Sequence, residues 1–402
     1  MPVADAPTLD VSFADPDVLQ DPYPVFEEIR AAGPVVYNPS AEAWMVTSYE
    51  DVRAILLDDK HFVPEAEKWE ALYGAAVMES MEDPRHREVR GIWAPSFRVV
   101  ALRELQPHIT KLVDMHLDPV VEALTEGEEV DVVEALTRPV AAMVLAHMIG
   151  VSESDTPQFL AWAKQMGNTL ESYDERDPKR AALLLEQGTE ATHATCIYAR
   201  AQIEQRRPTQ FGHDLIGELA MSPVAETMTE AEEGAAVAQL IVAGHDNVSH
   251  TLSHVVLALG THPQQRQAIA ADRSLVPPAV EEVLRWRTSA SGDTRLTREP
   301  VSIASTRLEA GEKVLVLLAA ANRDPMRWTD PGSFDVHREQ KKNLAFGGGI
   351  HVCLGISLAR IEAQIFMNRL LDGLPDYRLT DERIEYGPPF FMRGPSAVKI
   401  GV

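Results

Sequence analysis

A helix-start signal, followed by a long run of helical periodicity, does most to limit what this chain can fold into. Thr229 stands three residues before Glu232, the spacing at which each side chain caps the other's backbone N–H. The periodicity continues to about Gly260, where His262-Pro263 stops it. A helix of about 30 residues is roughly 45 Å long at 1.5 Å per residue, enough to cross a whole domain. Such a helix is expected to be apolar around its middle. The middle instead reads Ala243-Gly244-His245-Asp246-Asn247. Glycine there costs roughly 1 kcal/mol against alanine, and buried aspartate and asparagine need partners. Local rules broken at a buried centre point to function.

Residues 346–355 read Phe-Gly-Gly-Gly-Ile-His-Val-Cys-Leu-Gly and lead straight into an apolar-periodic helix. Cys353 therefore lies just before a helix N-terminus, where the dipole and unpaired N–H groups favour thiolate over thiol. The flanking glycines allow backbone conformations closed to other residues and let the chain approach something flat and bulky. A thiolate presented in this way suits an axial haem ligand, pushing electron density onto iron to favour O–O cleavage. Cys196, in a polar helical stretch, reads as a free thiol.

Composition narrows the field. The 402 residues contain no Gly/Ser tract, Pro-rich spacer or like-charge block, so one domain over residues 1–402 is expected, with no fused reductase or ferredoxin domain. The 45% hydrophobic content is ample for a core of that size. Two cysteines, one committed to a ligand, leave no intramolecular disulfide, in keeping with a reducing cytoplasm. The N-terminal stretch through Pro7 has neither a basic start nor an apolar run, so it is no signal peptide, and the apolar residues 314–321 are too few to span a membrane. A formal charge of −24 argues against nucleic acid and anionic membrane as partners.

The spacing Phe346-x-x-Gly349-x-x-x-Cys353-x-Gly355, with His351 two residues before the cysteine, resembles the haem-binding loop of the cytochrome P450 superfamily. That resemblance implies a mainly α fold with a small β-rich region, forming one large triangular-prism-like domain that binds haem b through Cys353. Phe346, Gly349 and Gly355 would shape the loop against the cofactor. The long helix would cross the distal haem face with the family's Ala/Gly-Gly-x-Asp/Glu-Thr motif, which makes room for dioxygen and organises proton delivery. Ala243, Gly244, His245 and Asp246 match its first four positions, but Asn247 stands where threonine is usual. A threonine hydroxyl donates and accepts through one atom, whereas an amide uses separate atoms and relays protons poorly. The expectation is that Asn247 orients a water or the bound oxygen while Asp246 and solvent supply protons.

Other segments follow in the order the resemblance implies. Pro277-Pro278 opens a helix in which Glu282 and Arg285 share a face; with Arg338 they would form a buried Glu-Arg-Arg network holding the cysteine loop. His86 and Arg90, one turn apart, together with Arg295 and His351, would bind the haem propionates. Asn322-Arg323-Asp324-Pro325 matches a further family segment. By position, the substrate pocket would be lined by Trp69, Leu72, Tyr73, Val242, Ala243, Ala290, Phe390 and Phe391, with Gln239 adding a hydrogen bond. Such walls suit a small-to-medium hydrophobic substrate, aromatic ones included.

The implied reaction is RH + O₂ + two electrons + two protons giving ROH + water, as hydroxylation or oxidative O-dealkylation. Electrons would come from NAD(P)H indirectly, through a ferredoxin reductase and an iron–sulfur ferredoxin. Basic spots at Arg85, Arg87, Lys341 and Lys342 would steer the ferredoxin to a monomeric enzyme. A peroxide-driven peroxygenase and a non-catalytic haem-binding or gas-sensing protein stand as alternatives.

Overall fold

The computed structural model describes residues 6–209 and 212–402. Most of residues 1–7, whose sequence argues against a signal peptide, lie outside them. The capping box forms as the spacing requires. The Thr229 side chain accepts from the Glu232 N–H at 3.2 Å, and a Glu232 carboxylate oxygen accepts from the Thr229 N–H at 2.6 Å. The helix runs from Glu230–Thr261, and Pro263 opens the next one, Pro263–Ala271. It is buried along most of its length and packs against helices Arg138–Ile149, Thr156–Asp174 and Pro178–Thr209.

Small residues bring those helices close. A Cβ on Gly234 would lie 2.9 Å from Cys196 Cβ, and one on Gly244 would lie 3.0 Å from Leu145 Cδ1. Cys196 is thereby partly enclosed between helices, and burial pushes its thiol up to about 11, which keeps it a packing residue rather than a reactive one.

The β-rich part is a mixed five-stranded sheet in the order Val35–Asn38, Ala43–Val46, Lys313–Val316, Asp293–Thr297, Phe62–Pro64. All neighbours are antiparallel except Ala43–Val46 with Lys313–Val316. Period-two alternation divides its side chains between two cores. Trp44, Val46, Val314 and Val316 face one, while Ala43, Met45 and Leu315 face the other. Arg295 pairs with Val314 on one side and Pro64 on the other, so a charged side chain is carried by the inner part of the sheet.

The loop before the cysteine is held at both ends. The Cys353 N–H donates to the Phe346 carbonyl at 3.0 Å, and the Gly347 N–H donates to the Leu344 carbonyl at 3.0 Å. Gly349 has φ +68°, and a Cβ there would lie 2.0 Å from the Leu56 carbonyl oxygen. Both the left-handed backbone and the close approach of helix Tyr49–Leu57 therefore demand glycine. Helix Ile356–Gly373 follows with Gly355 as its N-cap.

Among the described residues, no helix is long and apolar enough to cross a membrane.

Candidate active site

Cys353 combines two properties that meet only at the wall of an interior space. Its surface is accessible to solvent, yet the protein packed around it desolvates the thiol almost completely. Burial raises the thiol above its ordinary value, outweighing the Gly355 N–H and the Arg90 guanidinium that favour the thiolate. The sequence expectation of a thiolate set by the helix terminus alone is thus corrected, because desolvation is the larger effect here. A bound cation at sulfur would restore the thiolate, since coordination deprotonates a thiol outright.

Around this cysteine the structure gathers two arginines and two histidines, of which the Arg90 side chain and His351 Nε2 lack partners while His86 lies 3.5 Å from Asp83. The Arg90 side chain is half-buried and makes no hydrogen bond or ion pair with a described residue; burial lowers its pKa, and Cys353 and Glu79 oppose that. The His86 and His351 rings lie 4.5 Å apart between centroids. Burial, then the Arg90 charge, holds His86 below its ordinary value, while burial, His86 and Arg295 bring His351 to about 4. His351 Nε2 is enclosed without a partner. Arg295 Nη1 reaches Asp293 Oδ2 at 2.6 Å and the Thr294 carbonyl at 2.7 Å. Phe346 sits beneath the Arg360 guanidinium, 5.0 Å from its ring centre. A soft sulfur ligand beside guanidinium and imidazole donors, those of Arg90 and His351 Nε2 unpartnered, is the donor set that iron and two carboxylates require; the residues present fit haem.

On the long helix, Ala243 is exposed although its neighbours Ile241 and Val242 are buried, and Asn247, one turn on, is half-exposed. These positions face an interior space. At Gly244, which also keeps accessible surface, an added Cβ would lie 3.0 Å from Leu145 Cδ1, so the glycine serves the close packing of the two helices. The Asp246 carboxylate points toward helix Thr156–Asp174, where a Cβ on Gly167 would lie 2.9 Å from Oδ2. Its Oδ1 lies 2.9 Å from His245 Nδ1, a close contact without hydrogen-bond alignment, since that nitrogen has no hydrogen-bond partner. Burial opposes the Asp246 charge, but His245, His250 and Arg138 together outweigh it and hold the carboxyl below its ordinary value. Asn247 Oδ1 is enclosed and unpartnered, and the Asn247 carbonyl accepts from Thr251 Oγ1 at 2.9 Å.

The Glu282 side chain bonds both arginines expected beside it. Its oxygens accept from Arg285 Nε and Nη2, each at 2.7 Å, and from Arg338 Nε at 3.0 Å. Arg285 also donates to the carbonyls of Pro331 at 2.8 Å and Ser333 at 2.9 Å. Asn322 links the network to the cysteine loop: its carbonyl accepts from Arg285 at 3.2 Å, and its Oδ1 accepts from the Leu344 N–H at 2.7 Å.

The expected pocket wall divides. Trp69, Ala243, Ala290 and Phe391 keep accessible surface, and the Lys68 ammonium lies 5.6 Å from the Trp69 ring centre and 5.3 Å from that of Phe391. Leu72, Tyr73 and Val242 are largely buried in the helical core. Phe390 is wholly buried, 4.4 Å from Phe13 and 6.1 Å from Phe26 between ring centroids; it is a core residue, because the C-terminal turn carries consecutive aromatics and only one can face outward. Gln239 Oε1 accepts from the Met78 N–H at 3.1 Å, so its oxygen is spent on the backbone beyond helix Ala66–Tyr73 and not on a substrate. The basic spots carry their own counter-charges: Arg87 lies 2.5 Å from Asp83, Arg85 3.3 Å from Glu88 and Lys341 3.4 Å from Glu339.

The family signature described as Cytochrome P450 matches residues 34–374. The chain belongs to the cytochrome P450 family. It is 33% identical over 398 residues to the biotin biosynthesis cytochrome P450 of Bacillus subtilis (strain 168), covering 96% of this chain and 97% of that protein. It is 32% identical to the cytochrome P450 monooxygenase PikC of Streptomyces venezuelae, covering 99% and 95% respectively. Among solved P450 structures, P450BioI in complex with an acyl-ligated acyl carrier protein superposes with a TM-score of 0.85 at 31% identity, over 96% of this chain and 99% of that one. CalO2 superposes with a TM-score of 0.87 at 29% identity, over 98% of each. The mainly helical fold with a small β-rich region is therefore that of the P450s, and the chain is a haem-iron oxygenase of the monooxygenase class.

Sequence reasoning about this P450 missed two carboxylates. Glu79 has an enclosed, unpartnered Oε2 and is raised to about 7 by burial, with Asp293 adding and Arg90 opposing. Asp293 holds Arg295. Glu79 lies in no spacing pattern with Arg90, to which only the fold brings it, whereas Asp293 stands two residues before Arg295 on the same strand, the same-face spacing of a β-strand.

Proposed function

We propose that this P450 inserts one oxygen atom from dioxygen into a small-to-medium hydrophobic substrate, by hydroxylation or oxidative O-dealkylation, with electrons from a ferredoxin and its NAD(P)H-dependent reductase. The observation that carries this reading is Cys353, accessible yet desolvated, coupled to a partnerless Arg90. Haem b held there supplies the oxidising chemistry, using two electrons and two protons so that one oxygen atom enters the substrate and the other leaves as water.

The chain's own residues then have distinct tasks. Cys353 binds iron, and the loop from Phe346 through Gly349 and Gly355 presents it. His86, Arg90, Arg295 and His351 hold the two carboxylates of the cofactor by charge-assisted hydrogen bonds. Glu282, Arg285 and Arg338 brace the segment that precedes the loop. Asp246, ionised and reachable from the interior, hands on protons taken from water, while Asn247 orients a water through its amide. Ala243, Trp69, Ala290 and Phe391 give an apolar, partly aromatic wall that holds substrate by shape.

Relatives act on hydrophobic molecules: one is the vitamin D(3) 25-hydroxylase of Pseudonocardia autotrophica, 31% identical, and the structure of CYP109E1 from Bacillus megaterium, 26% identical, holds testosterone. The reading is tested by turnover with ferredoxin, reductase and NADPH under isotopically labelled dioxygen. One labelled atom in the product is expected. Label absent from the product, with turnover supported by added peroxide alone, favours the peroxygenase reading instead. Reduction by ferredoxin should slow as salt rises if the basic spots steer it.

A further inference from the structure

Lys68, on helix Ala66–Tyr73, carries a half-buried ammonium that makes no hydrogen bond or ion pair with a described residue. It lies 5.6 Å from the ring centre of Trp69 and 5.3 Å from that of Phe391, two of the four side chains that form the apolar wall. Phe391 is fixed in place. Its carbonyl accepts from the Ser291 N–H at 3.1 Å, the Arg393 N–H donates to the Ser289 carbonyl at 2.7 Å, and a Cβ on Gly292 would lie 3.2 Å from its Cε1. The ammonium therefore joins the helix to the C-terminal turn, over rings that keep accessible surface.

The acids around it are committed elsewhere. Glu65 stands three residues before Lys68, a spacing that allows a pair, yet its carboxylate lies 2.7 Å from Lys313 Nζ. Glu67 and Glu70 are exposed on the same helix, at spacings that do not face Lys68. Asp174, at the end of helix Thr156–Asp174, accepts from the Phe390 N–H at 2.7 Å; burial raises it, and that N–H and the Lys68 charge oppose the rise. An ammonium is strongly hydrated, and aromatic faces replace that hydration only in part. Half-burying one over two rings without a counter-charge leaves a place for an anion.

We propose that Lys68 is a specificity-determining residue that takes the carboxylate of a hydrophobic acid, so that the substrates of this enzyme are apolar molecules carrying one carboxylate. The inference rests on the monooxygenase reading above and names the substrate class of that same pocket. One ammonium in apolar surroundings balances the single charge of a carboxylate, whereas a phosphate group carries more charge and is met by several cations or a guanidinium fork. Nζ donates a charge-assisted hydrogen bond to the acid end, and the faces of Trp69 and Phe391 take the adjoining hydrocarbon.

The test measures binding to the holoenzyme by equilibrium dialysis for two acid–alcohol pairs, dodecanoate with dodecanol and naphthoate with naphthalenemethanol. Lys68→Gln removes the charge and Lys68→Arg keeps it; the red-shifted carbonyl band, retained in both, reports intact haem and fold. Lys68→Gln should weaken at least one acid by about tenfold or more while the matching alcohol stays within about twofold. Lys68→Arg should restore most of the lost affinity. An acid affinity unchanged in Lys68→Gln, an equal loss for acid and alcohol, or no binding of either acid by wild type overturns the proposal. The measurement needs no turnover, so the two failures are separable. Product without label under labelled dioxygen overturns the monooxygenase reading, while the difference between acid and alcohol stands or falls by itself.

Discussion

Glu282 meets Arg285 along both edges of its guanidinium, with two hydrogen bonds of 2.7 Å and both side chains only 2% exposed. Removing one partner of a buried pair leaves an uncompensated charge, at a cost of about 3–5 kcal/mol. Here the orphan would be Arg285, which also holds the carbonyls of Asn322, Pro331 and Ser333. Glu282→Ala should lose stability on that scale in chemical denaturation and purify with little haem. A loss below about 1 kcal/mol, with full haem content, would place the network among ordinary surface pairs.

Gly167→Ala separates function from stability. Alanine is the better helix residue by roughly 1 kcal/mol, and the atom it meets is the end of the Asp246 side chain, 2.9 Å away. The carboxylate should rotate aside while the helices stay in place. Thermal stability should hold or rise and the carbonyl spectrum stay unchanged, while product per NADPH falls several-fold. Unchanged coupling would remove the Asp246 position from the mechanism, and unchanged coupling in Asn247→Ala would do the same for that amide.

Glu362 predicts a pH dependence. It is buried in helix Ile356–Gly373, one carboxylate oxygen lacks a partner, and desolvation alone raises it to about 8. A carboxyl raised in the folded state favours folding least where the unfolded chain is ionised. Its penalty is absent below the ordinary value of 4.5, grows as pH rises and levels off above about 8. At about 1.4 kcal/mol per unit, the penalty near neutral pH is on the order of 3 kcal/mol. Glu362→Gln should therefore match wild type in stability near pH 4 and exceed it increasingly toward pH 8. A constant difference across that range contradicts the assignment.

Arg90 tests the cofactor's hold. Loss of a charge-assisted hydrogen bond costs about 1.5–3 kcal/mol, or roughly 10- to 100-fold in affinity. Arg90→Gln should release haem to a scavenging apoprotein faster by about that factor. An unchanged rate would mean that the partnerless guanidinium serves another group.

What could be read from the sequence was local in the chain. Thr229 and Glu232, Glu282 and Arg285, and the ten-residue loop around Cys353 each carry their geometry in their spacing. Residues that depend on distant segments stayed hidden. Gly167 and Gly394 look like any other glycine until Asp246 and His250 are folded against them, and Glu79 and Glu362 look like surface acids in an acidic chain. Other expectations failed for physical reasons: Phe390 turned inward because Phe13 and Phe26 offered it a core, Gln239 gave its oxygen to the Met78 N–H, and burial overrode the helix terminus at the Cys353 thiol. Gly244, assigned to the oxygen side by its motif, also makes room for Leu145 on the neighbouring helix, a packing role its motif does not reveal.

The most direct test of the account is the absorption spectrum of the dithionite-reduced protein with and without carbon monoxide. A strongly red-shifted Soret band, lost in Cys353→Ala, is the predicted result and identifies thiolate-ligated haem at that residue. A carbonyl spectrum of the histidine-ligated type, or a band that survives Cys353→Ala, contradicts the account at its centre.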